Sequence, residues 1–423
     1  MKYSIILSLS LWIFISDLSA QQTIRVPSDF NSIQLALDSV EEGATILVAP
    51  STYFENLVWP ENVDGIKLIG EMGAENTIID GGGEDRVIYM TGSNSQGLFE
   101  ETLISGFTIQ NGYAEDDAGA GIYISGASPA LRNLIVQNNR GVGFDENIRG
   151  GGMCIKDFVG TIDDCYFLNN TLETVRGSEG AGLYLEASGK VLVQNCTFDS
   201  NPNKAFGLCL GGGMYITSQP SSDPAADPPS VIIKNCIVSN NSTTAPDNSS
   251  GAGIYVTAFV SDTLEIVIDS CQISNNTTNI SDDFLGGGGG LYLSNSALIM
   301  SNSVVSNNSS DSGAGIFFAR EVLPSKISNT IISQNKLTTD DGFGGTAIFN
   351  LDPVELTMEN CLITNNEFRS ILMITLQAVG DEVAKLNLIN CTVANNENAF
   401  GLFGVNLNID NSIYGMKKQR YST

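Results

Sequence analysis

From about residue 119 to its end, the sequence repeats one unit, and this repeat limits the possible folds more than any other feature. Each unit has a Gly-rich start, a short apolar strand, a second strand that ends at Asn and a third that ends at or near Asn-Asn. The last Asn of each unit stands at positions 139, 170, 201, 241, 276, 308, 335, 366 and 396. A unit of this size without an internal helix cannot bury its apolar side alone, whereas stacked units can. The repeat therefore predicts a solenoid.

Equivalent positions in successive units should stack into columns. One column stands at the end of the second strand, where Asn tolerates the left-handed conformation of a sharp corner and its amide can bond the next coil. Its members are Asn133, Asp164, Asn195, Asn235, Ser270, Asn302, Asn329, Asn360, Asn390 and Asn411. We interpret this column as an asparagine ladder.

Most of the eight cysteines follow that column directly. They are Cys165, Cys196, Cys236, Cys271, Cys361 and Cys391. An apolar residue stands two positions further on, so we expect these thiols to point inward as small hydrophobic groups. Coils are about 4.8 Å apart, which would permit disulfides. We predict free thiols instead, because each coil is already packed between its neighbours and no loop needs a disulfide to close it. Cys154 and Cys209 fall outside the column.

The N-terminus has the features of a secretory signal peptide, predicted over residues 1–20. Lys2 supplies the positive charge, the apolar run ends near Ile15, and Ser19 and Ala20 offer a cleavage site. We expect a secreted or cell-surface protein that begins near Gln21 and has no transmembrane segment. The predicted divisions are residues 21–118 for an N-terminal cap and first coils, 119–415 for regular coils and 416–423 for a short basic tail. No capping helix follows the last coil, so an open strand edge is expected there, at a native or truncated end.

A short amphipathic helix is predicted before the repeats. Ser28 is the expected N-cap, and Phe30, Ile33, Leu37 and Val40 fall on one face that would cover the open end of the stack. The segments SIQLALDSV and TILVAPSTYFENL resemble the N-terminal region of the pectin-lyase-like superfamily. The resemblance implies an all-β fold, a single-stranded right-handed parallel β-helix with three strands per coil and a short N-terminal capping helix. It implies no particular activity, because that fold carries many.

Charge and composition exclude several functions. The formal net charge of −27 disfavours nucleic acid and anionic membranes as partners. The chain has no histidine, which removes Ser–His–Asp and Cys–His catalysis and every His-ligated metal site. The lyase, esterase and polygalacturonase motifs typical of the pectin-lyase-like enzymes are missing.

A column of aromatic residues is predicted on the outside of the first strand of each unit. A row of outward tyrosines can form a platform that binds sugars, because the C–H faces of sugar rings pack on aromatic rings. The alternative is that the rings only stack on one another and shield the sheet. The candidate carbohydrate-binding residues are Tyr123, Tyr184, Tyr215, Tyr255, Tyr292 and Phe317, and Ile348 is assigned to the same column.

Acidic residues recur in the connection that precedes the same strand. Carboxylates grouped beside Gly-rich loops can act as ligands for Ca²⁺. The alternative is that these acidic loops are only solvated. The candidate calcium ligands are Asp116, Asp117, Asp282, Asp283, Asp340 and Asp341.

Two functional hypotheses follow. The first is a monomeric, non-catalytic β-helix that binds polysaccharide or a cell-surface glycan, or mediates surface contact. The alternative is a calcium-dependent lyase of the pectate-lyase type that acts on acidic glycans, with Arg140, Arg149 or Arg176 as its base.

Overall fold

Parallel pairing between successive coils builds the molecule. The computed structural model describes residues 22–61, 63–92, 101–144, 146–219, 228–246, 248–258, 264–280, 286–319, 323–338, 345–350, 355–367, 372–374, 384–396, 400–402 and 405–416. Strands pair in register with their counterparts one coil further along, as Ile122–Ser125 does with the start of Met153–Asp163. Equivalent side chains therefore form columns along the solenoid axis, as the repeat predicted. Calls on residues 1–20 and 417–423 lie outside the described residues.

Three sheets run along the solenoid. The first sheet contains Leu57–Val58, Ile88–Thr91, Ile122–Ser125, the starts of Met153–Asp163 and Leu183–Gln194, Met214–Ser218, Ile254–Thr257, Leu291–Ser294, Ile316–Phe318, Ile348–Asn350, Leu372–Ile374 and Phe400–Leu402. The second contains Thr23–Val26, Thr45–Val48, Lys67–Gly70, the starts of Leu103–Gln110 and Ala130–Gln137, the ends of Met153–Asp163 and Leu183–Gln194, Ser230–Lys234, Leu264–Asp269, Ser296–Ser301, Ser325–Ser328, Glu355–Glu359, Ala384–Ile389 and Val405–Asp410. The third contains Ser51–Phe54, Thr77–Asp80, the ends of Leu103–Gln110 and Ala130–Gln137, Tyr166–Leu168, Thr197–Asp199, Ile237–Ser239, Gln272–Ser274, Val304–Ser306, Ile331–Ser333, Leu362–Thr364, Thr392–Asn396 and Ile413–Met416.

The connection from the third sheet back to the first is more ordered than the sequence suggested. It carries a fourth ladder of Tyr113–Glu115, Arg140–Gly143, Thr171–Thr174, Pro202–Ala205, Ser242–Ala245, Thr277–Ile280, Ser309–Ser310 and Lys336–Leu337. It also carries a fifth ladder of Asn147–Arg149, Gly177–Glu179, Leu208–Leu210 and Asn248–Ser250. Most of these segments are short and polar, so their strand character arises from stacking rather than from composition.

A five-residue helix, Ile33–Leu37, packs against the first coils with Ile33, Ala36 and Leu37 buried. The prediction that Ser28 caps it was wrong. Ser32 is the N-cap, and its side chain accepts a hydrogen bond from the Leu35 amide. The Glu55 carboxylate accepts from the Ile33 and Gln34 amides at 2.9 Å each. A carboxylate from a later coil therefore anchors the helix start, which local sequence could not show.

The predicted column at the end of the second strand, which we call the corner column, has the left-handed backbone conformation that was expected. From Asn133 to Asn411, all ten members have positive φ, between 45° and 57°. Directly after them, the predicted cysteine column is buried, and all eight cysteines of the chain are free. Their thiols bond backbone carbonyls, as Cys196 does with Ile162 at 3.6 Å. Beside them the rings of Phe167 and Phe198 stack at 4.7 Å.

The buried asparagine ladder is a different column from the one predicted. It consists of Asn139, Asn170, Asn201, Asn241, Asn276, Asn308, Asn335, Asn366 and Asn396, all buried. In each step, one side-chain carbonyl accepts from both the backbone amide and the side-chain amide of the preceding Asn, as at Asn241 and Asn201 (3.0 and 2.9 Å). The corner column is more exposed, and side-chain hydrogen bonds join only some of its neighbouring members, such as Asn235 to Asn195 at 3.3 Å and Asn360 to Asn329 at 3.2 Å. Both columns are Asn-rich, so composition alone could not separate them.

A column of glycines makes room for this ladder. A Cβ at Gly182 would lie 2.5 Å from the carbonyl oxygen of Gly213 and 3.2 Å from the Asn201 amide. Gly121, Gly152, Gly213, Gly253, Gly290 and Gly315 are equally crowded. The Gly-rich start of each unit is therefore a packing requirement of the coil stack.

Candidate functional site

The predicted aromatic residues do form one column on the outside of the first sheet. We call it the aromatic ladder, and in register it contains Tyr89, Tyr123, Cys154, Tyr184, Tyr215, Tyr255, Tyr292, Phe317 and Phe349. Adjacent tyrosine rings stack with centroids 4.6 to 5.4 Å apart.

At two positions, the aromatic ladder of the structure differs from the one that the sequence predicted. Ile348 pairs with Ile316 and is fully buried, whereas Phe349 continues the ladder and meets Phe317 edge-on at 5.0 Å. Tyr89 was missed because its coil precedes the regular repeats. Its flanking residues Ile88 and Met90 alternate with it as in later coils, and that alternation could have revealed it.

The ring faces are mostly covered. In seven of these coils, the residue that begins the turn into the first sheet is a glycine with positive φ that packs against the ladder strand; these are Gly119, Gly150, Gly180, Gly211, Gly251, Gly288 and Gly313. At Gly251, a Cβ would lie 2.7 Å from the Tyr255 Cβ. Tyr184, Tyr215 and Phe317 are buried, whereas Tyr123, Tyr255 and Tyr292 are half-buried. Because each face stacks on the next ring, the middle of the ladder presents edges rather than faces to solvent.

Burial perturbs the phenols. It raises the pKa of Tyr184, of Tyr215 and of Tyr255 well above the ordinary value near 10. These side chains therefore stay neutral across the physiological range and can serve only as hydrogen-bonding or packing groups.

Cys154 interrupts the ladder, and cations fill the space around it. The Arg149 guanidinium lies 5.2 Å from the Tyr184 ring centre, and the Lys156 ammonium lies 5.5 Å from that of Tyr123. Arg149 also forms an ion pair with Glu179 at 2.7 Å. Burial lowers the Arg149 pKa, but the Glu179 carboxylate outweighs this, so the pKa is raised overall.

A partly buried carboxyl group stands beside this interruption. The Tyr184 hydroxyl donates to Glu186 at 3.4 Å, and burial raises the Glu186 pKa. The Gln219 side-chain amide lies 3.2 Å from carboxylate oxygens of both Glu186 and Asp157. Asp157 itself has a positive φ of 58°, next to an irregularity in strand pairing.

The six acidic calcium candidates are only partly described. Asp282, Asp283, Asp340 and Asp341 lie outside the described residues. The Asp116 carboxylate accepts from the Phe144 amide at 2.6 Å. Asp117 pairs with Arg86 and accepts from the Ala118 amide. Within the part of the chain that the structure describes, no group of three or more Asp, Glu, Cys or His side chains is placed to hold a metal ion.

Two of the three candidate lyase bases are held in ion pairs. Arg140 contacts Glu173 at 2.7 Å, and Arg149 contacts Glu179 as above.

Over the described segments, no helix is long and apolar enough to cross a membrane.

Comparison with known proteins agrees with this fold. A family model described as a right-handed beta helix region matches residues 86–279. No curated protein matches the sequence. PfbA, a surface adhesin of Streptococcus pneumoniae, is similar over 93% of this chain and 91% of its own, at 12% identity and a TM-score of 0.36.

Two enzymes of known structure show the same level of similarity. A family 28 exopolygalacturonase of Yersinia enterocolitica aligns over 94% of this chain and 79% of its own, at 11% identity and a TM-score of 0.29. An alginate lyase from a Paenibacillus species aligns over 91% and 99%, at 12% identity and a TM-score of 0.24. Similarity at this level gives no information about activity. The chain folds as a right-handed parallel β-helix.

Proposed function

We propose that this protein is a secreted or cell-surface β-helix that binds polysaccharide without catalysis, along the outer face of its first sheet. The observation that carries the proposal is the aromatic ladder, which spans nine consecutive coils from Tyr89 to Phe349 in strict register. Half-buried rings at Tyr123, Tyr255 and Tyr292 offer apolar edges and hydroxyl groups at a regular spacing. A polymer with its own repeat can match such a surface over several coils.

The state of the arginines favours binding over lyase chemistry. A lyase base must lose a proton before it can remove one from the substrate, and the Glu179 carboxylate holds Arg149 in its charged form. A charged, immobilised Arg149 instead suits hydrogen bonding to a glycan. The calcium-dependent lyase stays the alternative, and Ca²⁺ stays a prediction.

A glycan array tests the proposal. We expect wild-type protein to bind at least one polysaccharide, and the double variant Tyr255→Phe with Tyr292→Phe to bind more weakly, because it keeps the stacking and loses two hydroxyls. Tyr166→Phe, on the exposed surface of the third sheet, is the matched control and should bind as wild type does. Absence of binding to every polysaccharide would overturn the proposal.

The same preparation separates the alternative. Uronate polymers incubated with the protein, with and without Ca²⁺, should show no rise in the ultraviolet absorbance of unsaturated products. A calcium-dependent rise in this absorbance would show that the protein is a polysaccharide lyase and would overturn the proposal of binding without catalysis.

A further inference from the structure

The aromatic ladder ends at Tyr89, and its last ring has one face without an aromatic neighbour. The residue in register with Tyr89 on the preceding coil is Val58. On its other side, Tyr89 stacks on Tyr123 at 5.4 Å. On the side of the preceding coil, Tyr89 therefore meets a small aliphatic side chain in place of another ring.

A pocket of about 340 Å³ opens at this place. It is lined by Asn56, Leu57, Val58, Asp85, Arg86 and Tyr89. Val58 is 56% exposed, which leaves an aliphatic surface opposite the ring. The volume falls within the usual range for small-molecule sites, about 300–1,000 Å³.

Polar groups rim the pocket on one side. The Arg86 guanidinium lies 5.0 Å from the Tyr89 ring centre, and one of its amino groups is bound to Asp117. Its buried Nε hydrogen-bonds to no acceptor among the described residues, and the nearest paired carboxylate oxygen, of Asp85, is 3.9 Å away. Asp85 is mostly exposed, so its carboxylate can accept further hydrogen bonds.

We propose that this pocket binds one neutral pyranose residue of the glycan, with its C–H face against Tyr89 and Val58 and a hydroxyl donating to the exposed carboxylate of Asp85. The apolar C–H face of a sugar can pack on the exposed part of the ring and on the aliphatic side chain, and a sugar hydroxyl can donate to the carboxylate. An acidic sugar fits less well, because Arg86 stands between two carboxylates and the local charge is already negative. This inference rests on the proposed glycan binding and assigns it a subsite and a sugar class.

The experiment uses neutral oligosaccharides and oligogalacturonides titrated into the full chain by calorimetry. Tyr89→Ala removes the ring, and Val58→Tyr adds an aromatic ring that would stack on Tyr89 and fill the pocket. Both should weaken binding of the neutral sugar by about tenfold, the value of one stacking contact. Tyr89→Phe keeps the ring and should bind within about twofold of wild type. Circular dichroism checks that each variant keeps its strand content, and Val58→Tyr covers the case in which Tyr89→Ala does not fold.

Different failures have different meanings. If wild-type protein binds glycan and Val58→Tyr binds it equally well, the subsite is wrong and the proposed function stands. If oligogalacturonides bind as tightly as neutral sugars, the sugar class is wrong. If no glycan binds, the proposed function falls, and this inference falls with it.

Discussion

The side-chain carbonyl of Asn201 accepts two hydrogen bonds from Asn170, one from its backbone amide at 3.0 Å and one from its side-chain amide at 3.1 Å. The Asn201 side-chain amide in turn donates to the carbonyl of Phe167 at 2.9 Å and to Asn241. One buried side chain therefore satisfies two backbone groups of the preceding coil and links that coil to the following one.

Removing that side chain should be costly. Asn201→Ala leaves the Asn170 amides and the Phe167 carbonyl buried without their partner, and we expect the free energy of unfolding to fall by about 3 kcal/mol. Urea denaturation measures the change. The control is Asn195→Gly at the exposed corner column, where glycine accepts the φ of 55°. Equal losses for the two variants would contradict the assignment of the buried ladder.

Adding one methyl group to the glycine column should also destabilise the protein. The Cβ of Gly182→Ala would lie 2.5 Å from the Gly213 carbonyl oxygen, which cannot move without separating two coils. We expect a loss of about 3 kcal/mol in thermal or urea unfolding. Gly415→Ala is the matched control, because nothing lies within 4 Å of its added Cβ. Tolerance of Gly182→Ala would show that the coils pack more loosely here.

The thiols should be free, and those of Cys154 and Cys209 should be unreactive. Burial raises the pKa of Cys154 and of Cys209 to about 12, so little thiolate forms on these two residues at pH 8 and a disulfide-exchange reagent should react slowly with them in the native protein. After denaturation, all eight thiols should react. Finding six or fewer without prior reduction would mean that disulfides form in the native protein.

These two thiols also predict a direction for stability against pH. Their folded pKa lies above the unfolded value, so the folded state keeps protons that the unfolded state releases. Their contribution is fully present below about pH 9 and is lost as the pH rises towards 12. Cys154→Ser and Cys209→Ser should flatten this loss in urea titrations between those pH values. An unchanged slope would assign the alkaline loss to other groups.

Three tyrosines in the middle of the aromatic ladder should resist ionisation. Burial raises the pKa of Tyr184, Tyr215 and Tyr255, so their phenolate absorbance should be missing from a spectrophotometric titration of native protein near pH 10. It should appear together with unfolding at higher pH. A Tyr215→Phe variant should lose part of that late absorbance and none of the early part. Titration of all twelve tyrosines near pH 10 would contradict the buried ladder.

The sequence predicted most of the columns because a coil-stacked fold converts spacing directly into position. The corner residues from Asn133 to Asn411 and the inward cysteines were assigned correctly, since each is fixed by its distance from the same Asn in its unit. Errors arose where spacing varies. Ile348 stands one residue from the true ladder member Phe349, and Ser28 stands one helical turn from the true cap Ser32.

What the sequence alone determined is the register: a unit of about thirty residues, recurring Asn, Gly and aromatic positions, and a strand period of two dictate a parallel β-helix. The tertiary structure alone decided which Asn column is buried, that the middle rings of the aromatic ladder cover one another, and that Tyr89 has Val58 in place of a ring on the preceding coil. These properties depend on what lies one coil away, and that neighbour is about thirty residues distant in the chain. Local pattern places a residue on a face, but contact across coils decides whether that face is covered or open.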